Sequence, residues 1–423
     1  MIYHPLAQQL YTEICRIPII DSHTHIDALR PTSTSLADIL GYHYYTELAH
    51  SAGLSQAAVV ADADPREKVR AILYHMSRFD NTAQHLWFLE IARAYLGFDS
   101  PRLTVADTSK LCDLAERLMA QPGWEERVLR QANIEKVFLT NAFDDPLEGF
   151  DTTRYIPCLR TDDLVFHLHQ PEVRKRLVQV TATEPTDARA LRAALARLFE
   201  HFTGHGARAC AISLPPSFTP APLREQELST ALGSVARPGA EPPAGLAAGI
   251  FWLLAELCDE HRLPFDLMIG VNRRVYEHGV YQGQDLFDQR TSLLQYARLF
   301  NAFPKVVFPV SVLSSGQNQE LVAFSWIFPN VITHGHWWYS NVPAYIEPDL
   351  LARLQAVPKT KQLGYYSDMY KLEFGLPKFN MYRRILAHVL AEHYVRPGIY
   401  SEAQALELCR MLLRDNARRI FNV

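Results

Sequence analysis

Short runs rich in β-branched and aromatic residues recur at 17–20, 136–140, 155–159, 209–214, 265–269, 306–310, 330–333 and 363–367. Between them lie longer stretches in which apolar residues return every three or four positions, the spacing of one helix face. About eight strands alternating with helices predict a (β/α)8 TIM-like barrel, with a doubly wound parallel sheet as the alternative. From 186 to 202, Leu191, Leu195, Leu198, Phe199 and Phe202 form one stripe with the arginines off it, so this helix packs outside the sheet. Ser401 and Gln404 have capping-box spacing, and Leu406, Cys409, Leu413, Ala417 and Ile420 then line one face, which predicts a closing C-terminal helix.

The first two strands are separated by a stretch too long for a bare loop, with helical patterns at 65–76, 82–95 and 109–119. The chain therefore divides into 1–29, holding the N-terminal segment and first strand; 30–133, a mainly helical insertion; and 134–423, the remainder of the barrel. Residues 215–245 are rich in Pro, Gly, Ala and Ser and predict an extended surface loop.

The 423 residues are 48% hydrophobic and 21% charged, the balance of an ordinary globular chain able to bury a large core. A net charge of −4, with no long run of one sign, gives no footprint for nucleic acid or an anionic membrane, and leaves a small molecule as the expected partner. The start lacks a basic cluster followed by an apolar stretch, and no apolar run approaches the ~20 residues of a membrane span, so a cytoplasmic protein is expected. The six cysteines are scattered without a C-x-x-C pair and read as reduced core residues. An exposed helical insertion leaves a homo-oligomer open.

Chemistry concentrates at the end of the first strand, in Asp21-Ser22-His23-Thr24-His25. Two imidazoles two residues apart on an extended segment share a face, and at a barrel mouth that face is where active sites form. Neutral imidazole suits one divalent cation, zinc first, with Mn, Fe or Ni as alternatives. Asp368 follows the last predicted strand and supplies a carboxylate for the same ion.

Two histidines on strand one and an aspartate after strand eight resemble the arrangement of the amidohydrolase superfamily. Further segments, in order across nearly the whole chain, resemble uronate isomerases, which interconvert aldo- and keto-hexuronates such as glucuronate and fructuronate. They are Gly41-Tyr42-His43-Tyr44, Thr140-Asn141-Ala142-Phe143-Asp144-Asp145-Pro146, Leu159-Arg160-Thr161-Asp162, Gly335-His336-Trp337-Trp338-Tyr339, Ser367-Asp368-Met369-Tyr370 and Asn380-Met381-Tyr382-Arg383-Arg384-Ile385-Leu386. The resemblance implies that His23, His25 and Asp368 hold the metal, that Tyr44 with His43 reaches the sugar, and that Arg160 grips a hexuronate carboxylate. It also implies an enediol reaction in which a tyrosinate takes the proton with the metal assisting, Asp368 being counted with Tyr44 and His43 among the catalytic groups. Read locally, Tyr44 is equally a member of an aromatic cluster with Tyr42 and Tyr45, and Arg160 a partner for Asp162 or Asp163. Of Trp337 and Trp338, strand alternation lets only one face a substrate.

Three positions depart from the family. Met268 replaces a histidine, Ser213-Leu214-Pro215-Pro216 replaces an Asp-His pair, and Tyr370 replaces an arginine. Without that cation a phenol of pKa about 10 is only about one part in a thousand ionised at pH 7, a deficit of roughly 4 kcal/mol. Arg273 or Arg274, after the fifth strand, is the expected replacement. His334 and His336 form a second H-x-H, which makes His336 a further candidate for the metal or for substrate, alongside Trp337 and Tyr370. The functions left open are a hexuronate isomerase, a metal-dependent hydrolase or decarboxylase of small carboxylates, and a non-catalytic sugar-acid binding barrel.

Overall fold

The computed structural model describes residues 4–60, 63–100, 102–235, 241–243 and 245–423, so part of the 215–245 stretch and the first three residues lie outside it. Its strands are β1 (Ile19–Asp21), β2 (Ile134–Phe138), β3 (Tyr155–Ile156), β4 (Cys158–Arg160), β5 (Ala209–Leu214), β6 (Phe265–Ile269), β7 (Val271–Asn272), β8 (Leu286–Phe287), β9 (Phe308–Val312), β10 (Val331–His334) and β11 (Gln362–Leu363). Apart from the antiparallel β7–β8 pair, neighbours run parallel, in the orders β1-β2-β3 and β11-β10-β9-β6-β5-β4. Pro157 joins the two ladders: it has no N–H to donate, and the chain switches there from pairing with β2 to pairing with β5. The opposite edges meet through Asp368 N–H to His23 O (3.2 Å) and His25 N–H to Met369 O (2.8 Å). Those bonds lie at the C-terminal ends of the strands, the mouth of such a barrel.

Two local expectations change. The last strand is shorter than 363–367, because beyond Leu363 the backbone bonds elsewhere: Gly364 N–H to Leu412 O and Ser367 N–H to the Asp21 carboxylate. The expected loop at 215–245 contains a helix, Glu225–Ser234, whose Leu228 and Leu232 are buried and whose first turn is tied by Arg224 to Glu227. Two leucines one turn apart outweigh the Pro- and Gly-rich flanks.

Residues 30–133 fold as α2 (Leu36–Leu40), α3 (His43–Ser51), α4 (Pro65–Met76), α5 (Ala83–Leu96), α6 (Thr108–Met119) and α7 (Trp124–Ala132), following α1 (Pro5–Ile14). Asp64 and Thr82 cap α4 and α5 by accepting N–H groups of the first turn. Their buried faces share one apolar cluster with the helix Gly375–Leu390, which brings the insertion onto the last barrel segment. The stripe beginning at Leu191 is buried in the helix Ala188–Gly204. Ser401 caps Glu402–Arg410, and a π-turn at Met411–Asp415 separates it from Asn416–Phe421, so the closing helix comes in two α segments. Among the described residues no helix is long and apolar enough to cross a membrane.

Candidate active site and metal centre

The backbone beyond β1 delivers His23 and His25 to the mouth, and their hydrogen bonds fix which ring nitrogen is bare. His23 Nδ1 lies 3.0 Å from Asp266 Oδ2, and a carboxylate can only accept. His25 Nδ1 lies 2.8 Å from Thr140 Oγ1, whose own proton goes to Thr24 O at 2.9 Å. Both Nδ1 atoms therefore carry hydrogen, and in the neutral rings that a cation requires both Nε2 atoms present lone pairs.

Those lone pairs converge on Asp368. His25 Nε2 and His23 Nε2 lie 3.3 and 3.8 Å from Asp368 Oδ1. Asp368 adopts a left-handed backbone, φ +55°, that its neighbours hold in place. Tyr42 donates its hydroxyl to Asp368 O at 2.7 Å. Lys378 Nζ donates to Tyr42 Oη at 3.0 Å and to Ser367 O at 2.6 Å. Asp21 accepts Ser367 N–H and Oγ–H at 2.9 and 2.5 Å. Burial alone would raise the Asp368 carboxyl, but the protonated forms of His25 and His23, together with Lys378, outweigh it and hold it below the usual range, the same electrostatic part that a bound cation would play. Burial lifts Asp21 to about 7 and lowers Lys378 to about 8.

The trio fits a cation. His23, His25 and Asp368 are the group of described residues whose ligand atoms, all within 4.8 Å of one another, could hold an ion. His23 Nε2 and Asp368 Oδ1 are buried without a hydrogen-bond partner, a costly arrangement unless something else neutralises them. Tetrahedral bonds of ~2.1 Å place ligand atoms about 3.4 Å apart, between the 3.3 and 3.8 Å separations seen.

Aromatic rings cover this centre. Tyr370 lies over His25, centroids 4.8 Å apart, and contacts Tyr42 and His43. Tyr44 packs on His43 (4.3 Å) and Tyr42 (4.9 Å), and its hydroxyl and His43 Nδ1 are buried without partners. Burial pushes the Tyr44 phenol well above its ordinary value, with the Asp368 charge adding to the effect, while burial lowers His43 to about 3. Both shifts favour a neutral phenol beside a neutral imidazole, whereas the family resemblance implies a tyrosinate. Tyr44, Glu47, Trp338 and Tyr339 help line a cavity of about 690 Å3, and His43 a second of about 550 Å3.

Other expected residues fall in different places. Arg160, at the end of β4, pairs with Asp162 at 3.1 and 3.4 Å, yet its charge reaches His23, His25 and Tyr370. Arg273 does not replace the missing arginine: its guanidinium is 2.6 Å from Asp285 on an exposed part of the β7–β8 hairpin, and Arg160 is the cation acting on Tyr370. His336 does not accompany His334, because Gly335 takes φ +50° and breaks the alternation. His336 faces Tyr382 at 6.1 Å and stands outside the metal trio. The same break sends Trp337 into the apolar cluster and Trp338 to the 690 Å3 cavity. Met268 is likewise buried in the apolar cluster. Sequence reasoning misses Asp266, Lys378 and Glu47. Asp266 and Lys378 leave a signal, each being an ionisable residue inside an apolar strand or helix pattern.

Parallel strands, a mouth carrying H-x-H and a remote aspartate, and an aromatic cover define the class: a (β/α)-type protein whose mouth gathers three groups able to hold a cation among ionisable and aromatic groups. The family model for glucuronate isomerase matches residues 1–421, and the chain belongs to that family. A uronate isomerase of Corynebacterium efficiens is 24% identical across 99% of this chain and 96% of its own length. One of Mannheimia succiniciproducens is 23% identical across 100% and 98%. Among solved structures, uronate isomerase from Thermotoga maritima superposes with a TM-score of 0.89 at 19% identity, covering 98% of this chain and 97% of that one. Glucuronate isomerase from Caulobacter crescentus gives 0.87 at 19%, covering 99% and 94%.

Proposed function

We propose that this protein is a metal-dependent isomerase interconverting aldo- and keto-hexuronates of the glucuronate and galacturonate type through an enediol. The observation that carries the reading is the convergence of two bare imidazole nitrogens and an unpartnered carboxylate oxygen, in a chain that belongs to the glucuronate isomerase family. His23, His25 and Asp368 would hold the ion, with zinc the best match to the donor set. Bound there, it would polarise the C1 and C2 oxygens of the sugar and lower the barrier to enediol formation.

The chain's own groups then have distinct work. Arg160 offers a planar fork for the substrate carboxylate, at the cost of loosening its pair with Asp162. His43, neutral and with an unpartnered Nδ1, is the base that takes the C2 proton and returns it to C1. Tyr44, protonated in its buried setting, donates to the developing alkoxide on O1 and takes back the proton of O2 as the keto group forms. Tyr370 covers the centre and excludes water from the enediol. The six unpaired cysteines fit a reducing compartment such as the cytoplasm.

The test is proton NMR of D-glucuronate and D-galacturonate in heavy water with the metal-loaded protein. Keto product, or exchange of the C2 proton, is expected. If several hexuronates show neither while one equivalent of cation is bound, the isomerase reading fails.

A further inference from the structure

One buried carboxylate has no role in the mechanism above. Asp266, on β6, is 3% exposed and has an imidazole on each oxygen: His23 Nδ1 at 3.0 Å on Oδ2 and His334 Nδ1 at 3.0 Å on Oδ1. His334, at the end of β10, is fully buried, and its Nε2 lies 2.8 Å from Ser22 Oγ. The proton positions follow from chemistry alone. A carboxylate accepts from both Nδ1–H groups, so in a neutral His334 ring Nε2 is bare and accepts from the Ser22 hydroxyl. Ser22, His334, Asp266 and His23 thus form one hydrogen-bonded chain across the barrel interior, in which both imidazoles donate to the shared carboxylate and the far end is the His23 Nε2 that faces Asp368 at 3.8 Å. Tyr366 packs on both imidazoles, at 5.1 Å from His23 and 4.6 Å from His334.

We propose that Asp266, braced by His334 and Ser22, is a positioning residue for His23: it fixes the ring orientation and tautomer that leave Nε2 free for the cation. The proposal rests on the metal centre described above and assigns the second H-x-H motif a part in it. His334 acts on the cation site from behind, through a carboxylate it shares with a ligand. A histidine ligand whose outer N–H is held by a carboxylate is more basic and loses less orientational freedom on binding, and loss of such a partner typically lowers metal affinity ~10–100-fold. Serine, histidine and aspartate in this order also make up the nucleophilic triad of many hydrolases. Here Ser22 is 5% exposed and the aspartate is divided between two imidazoles, which suits bracing rather than attack.

The experiment strips the full-length protein with a chelator and titrates zinc in competition with a chromophoric chelator, using wild type, Asp266→Asn and His334→Gln. An amide in place of the carboxylate offers a donor where an acceptor is needed, so one imidazole must change tautomer. Wild type should bind one equivalent, Asp266→Asn should bind ~10–100-fold more weakly, and His334→Gln should show a smaller loss in the same direction. Unchanged affinity in a folded Asp266→Asn overturns the proposal. If that variant does not fold, unchanged affinity in His334→Gln does so. Wild type that binds no cation sinks the metal reading itself, a different outcome. Labelling of Ser22 by a fluorophosphonate would show a nucleophile and overturn the bracing role. The cation-free variants should melt close to wild type, whereas a purely structural role would shift melting and leave zinc affinity alone.

Discussion

The two sides of this site are built on opposite terms. On the cation side, both imidazoles have an outer N–H in a hydrogen bond, and only the atoms facing the trio's centre are left bare. On the substrate side, Tyr44 Oη and His43 Nδ1 are buried with no partner at all. Buried polar groups without partners cost about 1–3 kcal/mol each unless a ligand satisfies them. The cation side is therefore organised before anything binds, while the substrate side stores unsatisfied groups that a polyhydroxy acid can complete.

Three changes test this contrast at its strong end. Asp368→Asn replaces the one anionic group of the proposed cation site by a neutral amide, and the purified variant is expected to lose its cation on dialysis and all measurable isomerase activity, read by metal analysis and turnover together. Retention of a full equivalent would mean that the ion sits elsewhere. Tyr44→Phe should act on the other side only: kcat falls ~10^2–10^4-fold, as for loss of a general acid–base group, with metal content and melting temperature nearly unchanged because the hydroxyl has no protein partner to lose. Arg160→Met should come next, with kcat/KM lower by about 10–100-fold, the scale of a lost charge-assisted hydrogen bond, and most of the change in KM. A fall in kcat larger than the rise in KM would place Arg160 at the reacting carbons instead.

The same contrast explains how much could be read from the chain. The strands at 209–214 and 265–269 were legible because four or more apolar residues between turn signals leave few alternatives. His23 and His25 were legible for a related reason: their spacing and strand position are local facts. Asp266 lies 243 positions from His23 in sequence, and Lys378 lies 336 from Tyr42, so nothing near either residue announces its partner. Alternation failed at Gly335, where one left-handed residue sent His336 and Trp337 away from the faces that a continuous strand would give them. Positive φ at a glycine cannot be read from a period-two pattern. Tyr370 shows a different limit. Its place over His25 explains how the site is covered, and the guanidinium acting on it is that of Arg160, which the neighbouring sequence does not announce.

The smallest expected effect is a stability difference at the rim of the substrate side, where Glu47 lies between the insertion and the mouth. Burial raises its carboxyl to about 8, although Trp338 partly offsets this, and one carboxylate oxygen is buried without a partner. A carboxylic acid with a pKa higher in the folded than in the unfolded chain binds its proton more tightly when folded. Its contribution to stability is therefore complete below the ordinary carboxyl value and is lost as pH rises through about 8. Glu47→Gln keeps the shape and removes the ionisation, so the melting temperature of the variant relative to wild type should rise by a few degrees between pH 5 and pH 8.5. Taking the difference between two proteins at each pH cancels every other titrating group, including those around Asp368. A flat difference across that range would mean that Glu47 is solvated and ionised, and would remove it from the unsatisfied groups that distinguish the substrate side. With saturating hexuronate present the slope should shrink, because a sugar hydroxyl reaching the 690 Å3 cavity can hydrogen-bond either form of the carboxyl group.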